Sequence, residues 1–269
     1  MLADYHVHSL GHGERTQTFE NLESFVVQAI KEGINEIGFA DHDWVERNPD
    51  FSIFEELREK YPQIDILVGI EVDHIIGRNE EISSYIKDQP FDYVLGGVHH
   101  LGENKWMFDM LDYIEGYRGR NIDELYLEYF KTVEDAALSG LYQILPHLDL
   151  IKIFGFRPKK PVLSLMGNLL EIIKEKSLAI EINTGGLFKP VEEIYPGIEI
   201  LQACFKMGIP ITIGSDAHSY KEVGRSFDAA CALAYKVGYR QIATFRQREL
   251  IMHDLDQKKN SPLIKGNIA

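Results

Sequence analysis

The sequence predicts a parallel α/β fold, with a barrel of about seven strand–helix units ahead of an open doubly wound sheet. Three observations carry this expectation. Short apolar runs alternate with helix-like stretches along nearly the whole chain. The runs are continuously apolar, as strands buried on both faces are. The length, 269 residues, suits one α/β barrel of about 250 residues. No Gly-x-Gly-x-x-Gly follows a strand, which disfavours a dinucleotide-binding sheet.

The first strand is expected at Ala3–Val7. A helix from Phe19 to Glu32 follows, capped by Thr18 and stopped by Gly33. Strands are then expected at Glu36–Ala40, Ile64–Val72 and Tyr93–Val98, and a long helix at Ile122–Ser139 before Gly140. The fifth strand is Tyr142–Pro146, followed by a helix over Val162–Lys176. The sixth is Ala179–Asn183, with a helix over Val191–Met207 before Gly208. The seventh is Pro210–Gly214, with a helix over Glu222–Lys236 before Gly238. No linker divides residues 1–269, so a single barrel domain is expected, with a short tail from about Asp254.

Composition excludes several classes. Hydrophobic residues at 45% and charged residues at 26% fit a globular chain rather than a disordered one. The formal charge of −14 argues against nucleic-acid and anionic-membrane partners. It leaves a small phosphorylated substrate open, because bound cations invert local charge. Two cysteines, Cys204 and Cys231, exclude a disulfide scaffold and a cysteine-rich zinc site, and both are expected in the core. No run is long and apolar enough for a bilayer, and Met1–Asp4 has no signal-peptide pattern, so the cytoplasm is expected. The sequence is silent on oligomeric state.

The ten histidines are the informative feature. His6 and His8 close the first strand, His42 the second, His99 the fourth and His147 the fifth. Glu71 closes the third strand, and Asp216 and His218 follow the seventh. His12 lies in the first loop. A lone strand-end histidine is usually a cap or a solvated side chain, and His74, His100 and His253 are read that way. In a parallel barrel, however, all strand C-termini meet at one face, where such barrels do their chemistry. Imidazoles and carboxylates are the ligands that suit zinc, manganese and iron. Nine candidates exceed one ion and suit two or three.

These motifs, from Asp4-Tyr5-His6-Val7-His8 to Gly214-Ser215-Asp216-Ala217-His218, resemble the PHP (polymerase and histidinol phosphatase) superfamily over nearly the whole chain. The resemblance implies a distorted (β/α)7 TIM-like barrel with its metal site at the C-terminal ends of the strands. It places His6, His8, Glu71 and Asp216 on a first metal. Glu71 bridges to a second, completed by His99 and His147. His12, His42 and His218 hold a third. Within the superfamily the chain is similar to the monofunctional histidinol-phosphate phosphatases of histidine biosynthesis. That likeness rests on length, the His8-x-x-x-His12 spacing, Gly96-Gly97-Val98-His99-His100, Pro146-His147-Leu148-Asp149 and Val223-Gly224-Arg225.

The reaction so implied is hydrolysis of a phosphomonoester, L-histidinol phosphate, by a metal-bridging hydroxide, with two or three Zn, Mn or Fe ions. Asp216, His218 and His42 are the residues expected beside the reacting group. Asp216 or His218 would pass a proton to the leaving alkoxide through a metal-bound water. Arg157, then Arg225, are expected on the phosphate, with His42 also touching substrate. Asp4 and Asp149 are expected to hold ligand imidazoles by their second N–H. The amine and imidazole of the substrate call for carboxylates and an aromatic face, for which Asp43, Trp44, Glu103, Trp106 and Glu181 are candidates. The alternative is the same chemistry on a nucleotide or other small phosphomonoester. C–N hydrolysis, as in amidohydrolases, is disfavoured because Glu71 stands where a carboxylated lysine would be needed. A metal-binding protein without activity is disfavoured because all nine positions are filled.

Overall fold

A computed structural model describes residues 1–256. In chain order its elements are β1 (Ala3–Val7), α1 (Phe19–Lys31), β2 (Glu36–Phe39), α2 (Phe51–Lys60), β3 (Asp65–Asp73), α3 (Asn79–Lys87) and β4 (Tyr93–Gly97). Then come β5 (His100–Leu101), β6 (Trp106–Met107), α4 (Ile122–Ser139), β7 (Ile144–Leu145), α5 (Val162–Leu165), α6 (Leu169–Glu175) and β8 (Ala179–Asn183). The last are α7 (Ile198–Met207), β9 (Ile211–Gly214), α8 (Phe227–Val237), β10 (Gln241–Arg246) and β11 (Glu249–Asp254). Seven strands pair in parallel in the order β1-β2-β3-β4-β7-β8-β9. Val7 bridges to Ala217, and His8 N donates to Ala217 O at 2.8 Å, so the sheet curls almost to closure at its upper rim. The fold is the seven-stranded α/β barrel that the sequence predicts.

The barrel interior is divided by height. Low down, Tyr93 fills the space left by Gly38 and Gly69, where any Cβ would overlap its ring. Its ring meets Tyr5 edge-on at 4.8 Å, and Phe245 of β10 meets Tyr5 at 6.0 Å. Strict alternation would send Tyr5 and His6 to opposite faces. The β1–β2 register shifts between Asp4 and Val7, which lets both point inward. The hairpin β10–β11 closes the lower end, with Phe245 N donating to the Tyr5 hydroxyl at 3.0 Å. Above Tyr93 the lining turns polar, and the site lies there.

Caps behave as the sequence implies. Thr18 accepts from Asn21 N, and Gly140 and Gly208 end their helices in the left-handed region. Three expectations are corrected. The helix over Val162–Lys176 breaks into α5 and α6 around Gly167, whose φ is +58°. The helix expected from Val191 begins only at Ile198, after Pro196, which disfavours helix at the residue before it. The helix expected from Glu222 begins at Phe227, because Gly224 and Ser226 both have positive φ. At the start of the expected tail, β11 runs to Asp254 and Leu255 is buried. The rest of that tail lies outside the described residues. Cys204 and Cys231 are buried, as expected. Among the described residues, no helix is long and apolar enough to cross a membrane.

Candidate metal centre

Backbone pairing brings the strand ends together. His42 bridges to Glu71, with Asp43 N donating to Glu71 O at 2.9 Å and Glu71 N to Asp41 O at 3.1 Å. The carboxylate of Asp41 takes Ser9 Oγ and Leu10 N, which ties the first loop to the end of β2. Arg15 binds the carbonyls of Ser9, His8 and His218, which ties that loop to the turn after β9. His147 and Asp216 have φ of +29° and +54°, a conformation non-glycine residues adopt at a cost of order 1–3 kcal/mol. Both side chains point into the cluster.

Glu71, fully buried, sits at its middle. Oε2 lies 3.2 Å from His6 Nε2, 3.4 Å from His8 Nε2 and 3.2 Å from His42 Nδ1. Oε1 lies 3.2 Å from His99 Nε2 and 3.0 Å from His147 Nε2. One carboxylate thus faces two sets of imidazoles with separate oxygens. Asp216 Oδ1 lies 3.4 Å from His8 Nε2 and 3.8 Å from His6 Nε2. His8, His42 and His218 form a further group close enough for one ion. His12 lies at the rim, with its ring stacked 4.4 Å from His218 and 6.2 Å from Trp44.

These residues fit divalent cations. His6 Nε2, His8 Nε2, His42 Nδ1, His218 Nε2 and Glu71 Oε2 are buried without a hydrogen-bonding partner among the described residues. Ligands about 2.1 Å from one ion stand about 3.0 to 3.4 Å apart in octahedral or tetrahedral shells, the spacing found here. Gly97 leaves the room: a Cβ there would lie 2.5 Å from Glu71 Oε1 and 2.6 Å from His99 Nε2.

Protonation follows the same geometry. Burial, aided by His218 and His42, holds His8 well below the ordinary imidazole range, and burial takes His218 down to about 4. Burial also pushes His6, His42 and His99 down, but facing carboxylates outweigh it and leave all three raised. Burial would raise Glu71 and Asp216, yet the imidazoles around them hold both well below the usual carboxylate range.

Other expected residues fall differently. Asp4 takes Ser215 N, Ser215 Oγ and Gly224 N, so it fixes the turn bearing Asp216 rather than an imidazole N–H. Asp149 takes Gly197 N and the buried ammonium of Lys152, each at 2.9 Å. The carboxylates that meet ligand imidazoles are Glu181, 2.9 Å from His6 Nδ1, and Asp109, 2.8 Å from His99 Nδ1. Glu181 was one of the candidates for the substrate pocket; it is fully buried and also takes His147 N and Asn183 Nδ2. Asp43 is engaged by Arg78, Trp106 is buried and Glu103 is exposed, whereas Trp44 stacks on His42 at 5.1 Å. Arg157 pairs with Glu193. Arg225 pairs with Glu222, packs 4.4 Å over Phe188 and keeps a buried Nε without a hydrogen-bonding partner among the described residues. Asp109, Asp73 and Arg15 were missed. For Asp73 the signal was its position two residues beyond Glu71, on the same face of β3.

An inward-facing cluster of imidazoles and bridging carboxylates on the C-terminal rim of a parallel barrel defines a metal-dependent enzyme scaffold. Residues 4–185 match the model of the PHP domain, and the chain belongs to that family. It is 33% identical over 263 residues to the Deinococcus radiodurans protein named "Probable histidinol-phosphatase", covering 93% of this chain and 98% of that one. It is 28% identical to the histidinol-phosphatase of Lactococcus lactis, covering 90% and 93% of the two chains. The crystal structure of histidinol phosphate phosphatase from Lactococcus lactis, complexed with Zn, L-histidinol and phosphate, superposes with a TM-score of 0.74. It is 25% identical and is matched over 93% of this chain and 98% of that one.

Proposed function

We propose that this protein hydrolyses L-histidinol phosphate to L-histidinol and phosphate, in the cytoplasm, as one barrel domain with two or three divalent ions. The carrying observation is Glu71, whose two oxygens face different imidazole sets, as a carboxylate shared between cations requires. The relatives' names and their near-complete coverage of the chain select the substrate.

His6, His8, Glu71 and Asp216 would hold one ion, Glu71, His99 and His147 a second, and His12, His42 and His218 a third, drawn from zinc, manganese or iron. Such ions supply an activated water near neutral pH and neutralise phosphoryl oxygens. The chain's own groups orient these ligands. Glu181 fixes the His6 ring, Asp109 fixes His99, and the Asp216 carbonyl lies 3.1 Å from His218 Nδ1. That last contact keeps the proton on Nδ1 and leaves the Nε2 lone pair free to bind. Asp216 and His218 would orient a water that passes a proton to the leaving alkoxide, and His42 would contact the phosphate. Arg225 and Arg157 are the cations offered to the phosphate, Arg225 with an Nε unsatisfied among the described residues. Small phosphorylated molecules, rather than nucleic acids or membranes, are the partners that a −14 chain with this centre suits.

The test is phosphate release from L-histidinol phosphate, sugar phosphates and mononucleotides by metal-loaded protein. A preference of at least about 100-fold in kcat/KM for histidinol phosphate is expected. A preference for a nucleotide would overturn the substrate and keep the centre.

Proton release gives an independent check. His6, His42 and His99 are raised above the ordinary imidazole range by the facing carboxylates, so without metal they hold protons more tightly than free imidazoles, and an incoming ion must displace those protons. Zinc titrated into metal-free protein should release protons, and affinity should fall as pH drops below 7. Calorimetry in two buffers of different ionisation heat reads this directly. Identical apparent enthalpies would count against it.

A further inference from the structure

We propose that Asp73 is a tenth ligand of the centre, its Oδ1 joining the shell between His42 and His99; the proposal rests on reading the site as a divalent-metal centre. β3 places Asp73 on the same face as Glu71, one pleat nearer the mouth. Its Oδ1 is buried without a hydrogen-bonding partner among the described residues, like Glu71 Oε2 and His42 Nδ1. It lies 3.2 Å from His42 Nδ1 and 3.8 Å from His99 Nε2. The shorter distance equals the one between His42 Nδ1 and Glu71 Oε2, so Asp73 meets the same spacing as the bridging carboxylate.

Charge points the same way. A carboxylate this buried needs a compensating positive charge. Arg78, the nearest candidate, spends its guanidinium on the Asp73 carbonyl, Asp43 and Glu81. Among the described residues, the groups that can offer its carboxylate positive charge are imidazoles: His42, His99 and, at 3.6 Å from Oδ2, His100. Imidazoles that bind metal are neutral. The missing charge is then that of the ion. The backbone is clamped to hold this pose, with Asp73 N donating to Asp43 Oδ1 at 3.1 Å.

The test uses Co2+ titrated into metal-free full-length protein, read by bound-metal stoichiometry and by the visible d–d spectrum, for wild type, Asp73→Ala and Asp73→Asn. Both variants should bind at least one ion at least about tenfold more weakly, with an altered spectrum. Metal-free melting curves establish that each variant folds, and Asp73→Asn carries the test if Asp73→Ala does not. Wild-type stoichiometry, affinity and spectrum in both variants would overturn the proposal. So would weak binding in Asp73→Ala alone, which would make Asp73 a hydrogen-bond acceptor that orients His42. Failure of the wild type to bind Co2+ would instead remove the metal-centre reading on which the proposal stands.

Discussion

Glu71→Gln is expected to lower kcat/KM for L-histidinol phosphate by on the order of 1,000-fold or more, about 4 kcal/mol of transition-state stabilisation. Five imidazoles lie within 3.4 Å of this one carboxylate. Glutamine keeps the volume and one acceptor oxygen. It removes the charge and turns the other oxygen into an N–H donor. The set that meets this nitrogen, His6, His8 and His42 or His99 and His147, then confronts a donor where a shared acceptor stood. At least one ion should be lost, measurable as bound metal per chain. A second signature separates this from simple misfolding. Glu71 helps to raise His6, His42 and His99, so in metal-free Glu71→Gln these rings should titrate at lower pH than in metal-free wild type. Near-normal metal content and turnover in this variant would remove Glu71 from the bridging position.

The strand-end histidines were legible because two regularities coincide. Parallel barrels gather strand ends, and single charged residues at the ends of apolar runs are easy to see. The carboxylates behind them were harder. Glu181 lies within Ala-Ile-Glu-Ile-Asn, and a lone acid in a strand buried on both faces must find a partner. Sequence says that the partner exists, and only the barrel's register says that it is His6. Asp109 lies in the loop between β6 and α4, where no periodicity indicates direction. Among the elements, α2 and α3 were missed because their apolar faces are thin: Phe54 and Leu57 in one, Ile82 and Ile86 in the other. Asp50, which caps α2 through Ser52 N, was the overlooked start signal. The hairpin β10–β11 turns at Gln247-Arg248, both with positive φ and without the Gly or Asn that usually announces such a turn. It was invisible to turn chemistry, and its sequence reads equally as the end of a helical unit.

That hairpin carries the second large effect. Arg246→Met is expected to destabilise the fold by about 2–3 kcal/mol while leaving kcat within about twofold of wild type. Glu36, at the start of β2, is 2% exposed. Its carboxylate takes Arg246 Nη2 at 2.9 Å, Arg246 Nη1 at 3.2 Å and the Tyr5 hydroxyl at 2.5 Å. Methionine fills much of the arginine stem's volume but leaves that carboxylate with the Tyr5 phenol as its remaining side-chain donor and with no charged companion among the described residues. Breaking a buried pair costs about 3–5 kcal/mol, and the lower figure applies because the Arg246 side chain is 34% exposed, so water reaches the gap. The second contact of Arg246, to the exposed Asp65, adds little. For a chain of this size the melting temperature should fall by roughly 5–10 °C. Adding Glu36→Gln to Arg246→Met should recover part of the loss, because the uncompensated charge goes with it. An unchanged melting temperature, or a kcat that falls as steeply as stability, would break the division of labour inferred from the barrel's height. On that division the lower end, sealed by Tyr5, Tyr93, Phe245 and the Glu36–Arg246 pair, holds the strands in register. The upper rim, relieved of that task, can carry a buried cluster of imidazoles, carboxylates and strained residues that would not fold around itself.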